Sequence, residues 1–158
     1  MKNRPILRRA VEEDFRNLHR MMVSLLTYEH ENFDNSLRLD WANCEAAKNA
    51  LLSAIQTCIV FIIYHEEEAI GYLLGRISEP SANSARGIKQ GLLENIYIEP
   101  EWRKCGLGRR LIDVFKDDCK EHGAECINVT VLANNQDARA FYEKMGLLPR
   151  NIVYSGKI

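Results

Sequence analysis

Long apolar runs, paired cysteines and spaced histidines are all scarce in this chain of 158 residues. No stretch approaches the roughly 20 apolar residues that a membrane helix needs. The basic start from Met1 to Arg9 leads into no apolar signal core. Neither a membrane partner nor an exported protein is therefore expected, and the cytoplasm is the expected compartment. The five cysteines (Cys44, Cys58, Cys105, Cys119 and Cys126) are odd in number, and no two form a CxxC pair. This argues against a disulfide framework and a thiolate zinc site, and for reduced thiols. The four histidines show no HxxxH spacing, so no metal is expected. Charge of one sign is lacking too: 21 Lys and Arg face 22 Asp and Glu, a formal net charge of -1, which gives no reason to expect a nucleic-acid partner.

What is present is an ordinary globular mixture, 46% hydrophobic and 27% charged, long enough for a single domain over 1–158 with one sizeable core. Ile6 to Arg8 reads as a strand. A helix follows from about Glu12 to Tyr28, with Leu18, Met21, Met22 and Leu25 as its apolar stripe. Glu29 to Asp40 is polar and acidic and reads as a loop, and a second helix fits Ala42 to Gln56. Thr57 to Tyr64 is nearly all apolar, as a strand covered on both faces should be. Ala69 to Ile77 returns as its hairpin partner, and Glu79 to Lys89 reads as a loop. Gly91 to Ile98 is a strand stopped by Pro100. Leu107 to His122 is a helix ended by Gly123, and Cys126 to Leu132 a strand. Asn134 and Asn135 start a last helix that Gly146 ends, and Asn151 to Ile158 reads as a final strand. The order β-α-α-β-β-β-α-β-α-β makes a mixed α/β domain.

The segment between the Gly91–Ile98 strand and the next helix carries chemistry. Arg103, Gly106 and Gly108 stand in a turn where glycines let the backbone approach a ligand closely. The helix start offers unpaired N–H groups and a partial positive charge. Arg103, Lys104, Arg109 and Arg110 add formal charge, so the turn could cradle a pyrophosphate. A Walker A loop would need GK followed by Ser or Thr, which is missing. A dinucleotide fingerprint would need Gly or Ala where Leu111 stands. An ordinary strand–helix turn with solvated basic side chains would read the same way.

A second block, Asn135-x-x-Ala138-x-x-Phe141-Tyr142-Glu143-Lys144-Met145-Gly146, follows at a distance of one helix and one strand. The Arg103-x-x-Gly106-x-Gly108 turn, this block, and the strand Leu93-Glu94-Asn95-Ile96-Tyr97-Ile98 before the turn resemble the GNAT acetyltransferase superfamily over residues 92–148. Lys104 stands where the family often has Gly, and Leu147 replaces a common Phe. Family members usually end in a two-strand hairpin, whereas about a dozen residues follow Gly146 here.

The resemblance implies an α+β GNAT fold, a mixed central sheet of six to seven strands flanked by about four helices. It implies an acetyl-CoA-dependent N-acetyltransferase that passes an acetyl group directly to a primary amine. The pantetheine arm would pair with backbone near Ile96, Tyr97 and Ile98. The pyrophosphate would sit on N–H groups of Lys104, Cys105, Gly106, Leu107, Gly108 and Arg109, with Arg103 beside them. Asn135 would hydrogen-bond pantetheine. Tyr142 would be the general acid for the leaving thiolate, although its place in the helix stripe also suits simple packing. Glu94 alternates in phase with Ile96 and Ile98, so it is expected to face the cofactor and act as general base, through water; a structural hydrogen bond is the plain alternative. A backbone N–H near Ile96 or Tyr97 would stabilise the oxyanion.

The acceptor is not legible. Glu29, Glu31 and Asp34, with Asp40 and Trp41 nearby, could form an acidic mouth for a small cationic amine or a protein lysine or N-terminus, or could be a solvated loop. A non-catalytic acyl-CoA-binding module, or an assembly subunit, is the other reading. The short tail suggests a homodimer through the last strand.

Overall fold

The computed structural model describes residues 4–82 and 86–158. Asn83 and Ser84 of the expected 79–89 loop, and the first three residues of the basic start, lie outside them. The elements are β1 (Ile6–Arg9), α1 (Phe15–Asn32), α2 (Glu45–Thr57), β2 (Ile59–His65), β3 (Glu68–Ser78), β4 (Gln90–Ile98), α3 (Leu107–Glu121), β5 (Cys126–Val129) and α4 (Gln136–Lys144). Short 3-10 turns stand at Glu12–Asp14, Trp41–Asn43 and Pro100–Trp102.

The β2–β3 hairpin is apolar on both sides of the pleat, so the sheet must be covered on both faces. Leu18, Met21 and Met22 of α1 and Leu51 of α2 pack on Val60, Ile62, Tyr72 and Leu74. Leu111, Ile112, Phe115 and Cys119 of α3 pack on Ile59, Phe61, Ile63 and Leu73 on the other face. Burying each of the large side chains stabilises the fold by about 1.5–3 kcal/mol relative to exposure. The sheet order is β1-β2-β3-β4-β5, antiparallel up to β4, with β5 parallel to β4 and α3 as the crossover between them.

Among the described residues the mixed α+β architecture with four helices agrees with the sequence reading, but five strands stand where six to seven were expected. Asn151 to Ile158 forms no strand: it pairs with no neighbour, and Ile152, Val153 and Tyr154 are all exposed. The β5 strand stops at Val129 rather than Leu132, because its pairing with β4 ends at Leu93. The first helix starts later and ends later than its periodicity suggests. Asp14 accepts from the Val11 N–H at 2.8 Å and from Arg8 at 2.7 and 2.8 Å, which holds Glu12–Asp14 in a tighter turn. At the other end, Phe33 and Asp34 both donate N–H to Glu29 O, so the acidic run through Asn32 is helix rather than loop.

Candidate active site

The site begins where the sheet splits. β4 and β5 pair only through Gln90–Leu93 and Cys126–Val129, while β4 continues to Ile98 against β3 alone. At the split, β4 carries a bulge: Gly75 lies opposite Leu93 but Leu74 opposite Asn95, so Glu94 has no partner of its own. A bulge inserts one residue and reverses the alternation beyond it. Leu93, Ile96 and Ile98 accordingly share the α3 layer, whereas Tyr97 packs in the α1 layer. The expected phasing of Glu94 with Ile96 and Ile98 is therefore corrected. Glu94 ion-pairs with Arg76 at 2.6 Å at the open edge of the cleft.

A cleft of about 830 Å³ fills the split. One wall is β4 from Leu93 to Ile98, and the opposite wall is Val129 to Leu132 with Asn135, Ala138 and Tyr142. Leu25, Tyr28 and Glu29 of α1 close a third side. The cleft thus reaches from the α1 layer to the α4 layer. Asn134 Nδ2 donates to Phe33 O at 2.9 Å and ties the two layers together at its rim.

The turn from Glu99 to Gly106 closes one end. Gly106 has φ of 81° and caps α3, and Lys104 has φ of 60°. Such left-handed backbone costs a side-chain-bearing residue roughly 1 kcal/mol, which accounts for the glycine often found at the Lys104 position in the family it resembles. Among the described residues no hydrogen bond takes the backbone N–H of any residue from Lys104 to Arg109, and the first helical bond is Arg110 N–H to Gly106 O. Six successive free amides at a helix start form a concave donor array with positive potential. A Cβ on Gly108 would lie 3.2 Å from Phe141, so α4 closes over the turn.

The basic side chains divide. Lys104 and Arg109 are exposed and line the cleft. Arg103 bends back: its Nε donates to Ile98 O at 3.0 Å, and its guanidinium lies over the rings of Tyr28 at 5.1 Å and Tyr97 at 5.8 Å. It therefore fixes the turn against β4 and α1. Arg110 is spent on Pro5 O at 3.3 Å. Cys105 is exposed, with its Sγ on Arg103 O at 3.4 Å, and the Leu107 side chain is in the core. Those two bring only their amides to the site.

Tyr142 is 7% exposed and lines the cleft. Burial first, and the charge of Glu29 second, raise its pKa far above that of an ordinary phenol, so it stays protonated. Asn135 Oδ1 caps α4 by accepting from Ala138 N–H at 3.0 Å, which leaves its Nδ2 to donate elsewhere. Of the expected acidic mouth, Glu29 alone reaches the cleft. Glu31 is exposed on α1. Asp34 is held by Ser36, whose N–H and hydroxyl lower its pKa, and Asp40 pairs with Arg38 at 2.7 Å. Trp41 is half exposed and outside the lining. The sequence reading missed Tyr28, Asn95 and Thr130. For Tyr28, the spacing with Leu25 on one helical face was the available signal. Among the described residues no group of three His, Cys, Asp or Glu side chains could hold a metal ion. No helix of the described residues is long and apolar enough to cross a membrane.

The sequence profile of the Acetyltransferase (GNAT) family matches residues 10–147. The chain belongs to this GNAT family. Over 80 residues it is 30% identical to the ribosomal protein bS18-alanine N-acetyltransferase of Escherichia coli strain K12, a span of 48% of this chain and 54% of that protein. The chain thus spans about half the length of the curated relatives it matches. A tetramutant of the BH1408 protein from Bacillus halodurans superposes with a TM-score of 0.85 over 97% of this chain and 99% of that one, at 17% identity. Aminoglycoside N-acetyltransferase AAC(6')-Iy, solved in complex with CoA, gives a TM-score of 0.76 over 98% of this chain and 95% of that one, at 16% identity. At such identities the likeness is one of fold. In this GNAT chain the motif residues Arg103, Gly106, Gly108, Asn135 and Tyr142 come from separate elements and meet around one cleft.

Proposed function

We propose that this protein is an acetyl-CoA-dependent N-acetyltransferase that acts as one domain on a primary amine. The observation that carries the reading is the opening of β4 from β5 beside six unpaired amides at the start of α3. The pyrophosphate binds the amides of Lys104 to Arg109, with Lys104 and Arg109 supplying charge. Pantetheine lies along the free edge of β4 near Ile96 and Ile98, with Asn135 Nδ2 donating to it. The thioester carbonyl then comes against the N–H of Ile96 or Tyr97, which stabilises the negative charge that develops on oxygen. The sulfur lies by Tyr142, whose neutral phenol donates to the departing thiolate.

The amine is mostly protonated at neutral pH if its pKa is near ~10.4, or partly so for an α-amine near ~7.7–8.0, and it must lose a proton to attack. Three carboxylates line the cleft, Glu29, Glu94 and Asp137. The acceptors named for the relatives, a ribosomal-protein alanine and aminoglycosides, are both amines, and only that class is carried over. Five free cysteines suit a reducing compartment, and we place the enzyme in the cytoplasm. The exposed apolar side chains Ile152, Val153 and Tyr154 support a homodimer. Calorimetric titration with acetyl-CoA tests the cofactor reading: saturable one-to-one binding is expected, and its absence would remove the basis for the activity.

A further inference from the structure

The carboxylates in the cleft have different surroundings. Glu94 is held by Arg76 Nε at 2.6 Å, and both side chains are well exposed. The Glu94 carboxylate is thus already engaged by a cation of its own. Glu29 is in the last turn of α1, half-buried in the cleft wall. Its pKa is raised by burial, with no cation or donor acting on it among the described residues. The negative end of α1 acts in the same direction.

Tyr72 supplies an independent observation. It is fully buried on β3, and its Oη has no hydrogen-bond partner among the described residues. An unsatisfied buried hydroxyl is costly, so such groups are rarely left without an acceptor. Tyr72 and Tyr142 both lie within the electrostatic reach of Glu29. The Glu29 charge thus acts on a phenol of β3 and on the α4 phenol that lines the same cleft.

Glu31, Asp34 and Asp40 do not line the cleft, whereas Asp137 does, exposed in the first turn of α4 where the helix start stabilises its anion.

We propose that Glu29 takes the proton from the acceptor's amine. The proposal rests on the acetyl-CoA reading above. The ammonium gives one proton to the Glu29 carboxylate. The freed nitrogen pair attacks the thioester carbon, and the C–S bond breaks with its electrons going to sulfur. Tyr142 passes its proton to sulfur and regains the second proton from the new amide nitrogen. The Glu29 proton leaves to water. The products are an N-acetyl amine, CoA thiol and one proton.

The test compares wild type, Glu29→Gln and Glu94→Gln. Acetyl-CoA binding by calorimetry comes first. Loss of binding in wild type would overturn the underlying acetyltransferase reading, whereas retained binding in both variants isolates the proton step. Thiol release is then followed with L-alanine amide and with spermidine as amine probes. The ionisable groups that share the cleft with Glu29 are Tyr28 on α1, Glu94 and Tyr97 on β4, Arg103 and Lys104 in the turn, Arg109 on α3, and Asp137, Tyr142 and Lys144 on α4; His30 follows it on α1, and Tyr72 on β3 feels its charge. A base must be unprotonated to act, so kcat/KM should rise with pH through the Glu29 pKa and then level. Glu29→Gln is expected to lower kcat by about 100-fold or more and to abolish that acid limb, while Glu94→Gln keeps the limb. Two results would overturn the proposal: loss of the limb in Glu94→Gln but not in Glu29→Gln, or turnover of neither amine by protein that binds acetyl-CoA.

Discussion

Tyr142 is the residue at which binding and turnover should separate. Its ring is packed in the core layer shared with Leu111 and Phe115, and its hydroxyl is the one polar atom it brings to the cleft. Tyr142→Phe keeps the ring and removes only the donor. Under steady-state thiol release, kcat should fall by about 100-fold, while acetyl-CoA affinity changes by less than about threefold. Equal losses in both would mean that the phenol serves binding, and unchanged turnover would remove it from the mechanism. Arg103 makes contacts that the motif by itself does not announce. The sequence counts its charge toward phosphate, yet its guanidinium lies over Tyr28 and Tyr97 and donates to Ile98 O. A stacked arginine of this kind positions the turn, a role that charge counting does not reveal.

At the level of elements, the bulge in β4 decides what faces the cleft. It depends on Gly75, opposite Leu93: a Cβ there would lie 2.5 Å from Phe115 Cε2 and 2.7 Å from Leu92 O. Phe115 is fully buried and Leu92 O is backbone, so neither can yield cheaply. Gly75→Ala should destabilise the fold by about 1–3 kcal/mol in thermal or urea unfolding, and a change near zero would show that the β3–β4 crossing has slack. The helices and inner strands were legible because their periodicity reports burial: the α3 stripe of Leu107, Leu111, Ile112, Phe115 and Cys119 is buried throughout. What was not legible depends on partners. Period-2 alternation from Glu94 to Ile98 looks unbroken in sequence, since a bulge is a property of two strands, not one. The 130–132 stretch has strand-like residues but no neighbour, and the acidic run after Tyr28 stays helical because Glu29 O gathers two N–H groups. The acidic residues 29 to 40 looked like one mouth, yet only Glu29 turns inward, a sorting set by the helix face and by the local partners Ser36 and Arg38.

For the whole molecule, the sheet separates two packed layers and the cleft passes between them at the β4–β5 split, so donor and acceptor can approach from opposite layers. The tail from Leu148 onward leaves Ile152, Val153 and Tyr154 exposed at 76%, 88% and 88%, more apolar surface in one segment than an isolated chain keeps covered with water at no cost. Light scattering should give the mass of two copies, and a monomer at all concentrations would end the dimer proposal. The claim on which the rest depends is that the open edge of β4 and the amides from Lys104 to Arg109 form an acyl-CoA site. Calorimetric titration of the intact protein with acetyl-CoA, beside a Lys104→Glu/Arg109→Glu double variant, tests it most directly. Both side chains are exposed, so the variant should fold as wild type does. The account predicts one saturable site in wild type, weakened at least about tenfold in the variant, or about 1.4 kcal/mol, with a loss that shrinks at high salt. Wild-type protein that shows no heat of binding, or binding unaffected by reversing both charges, would contradict it.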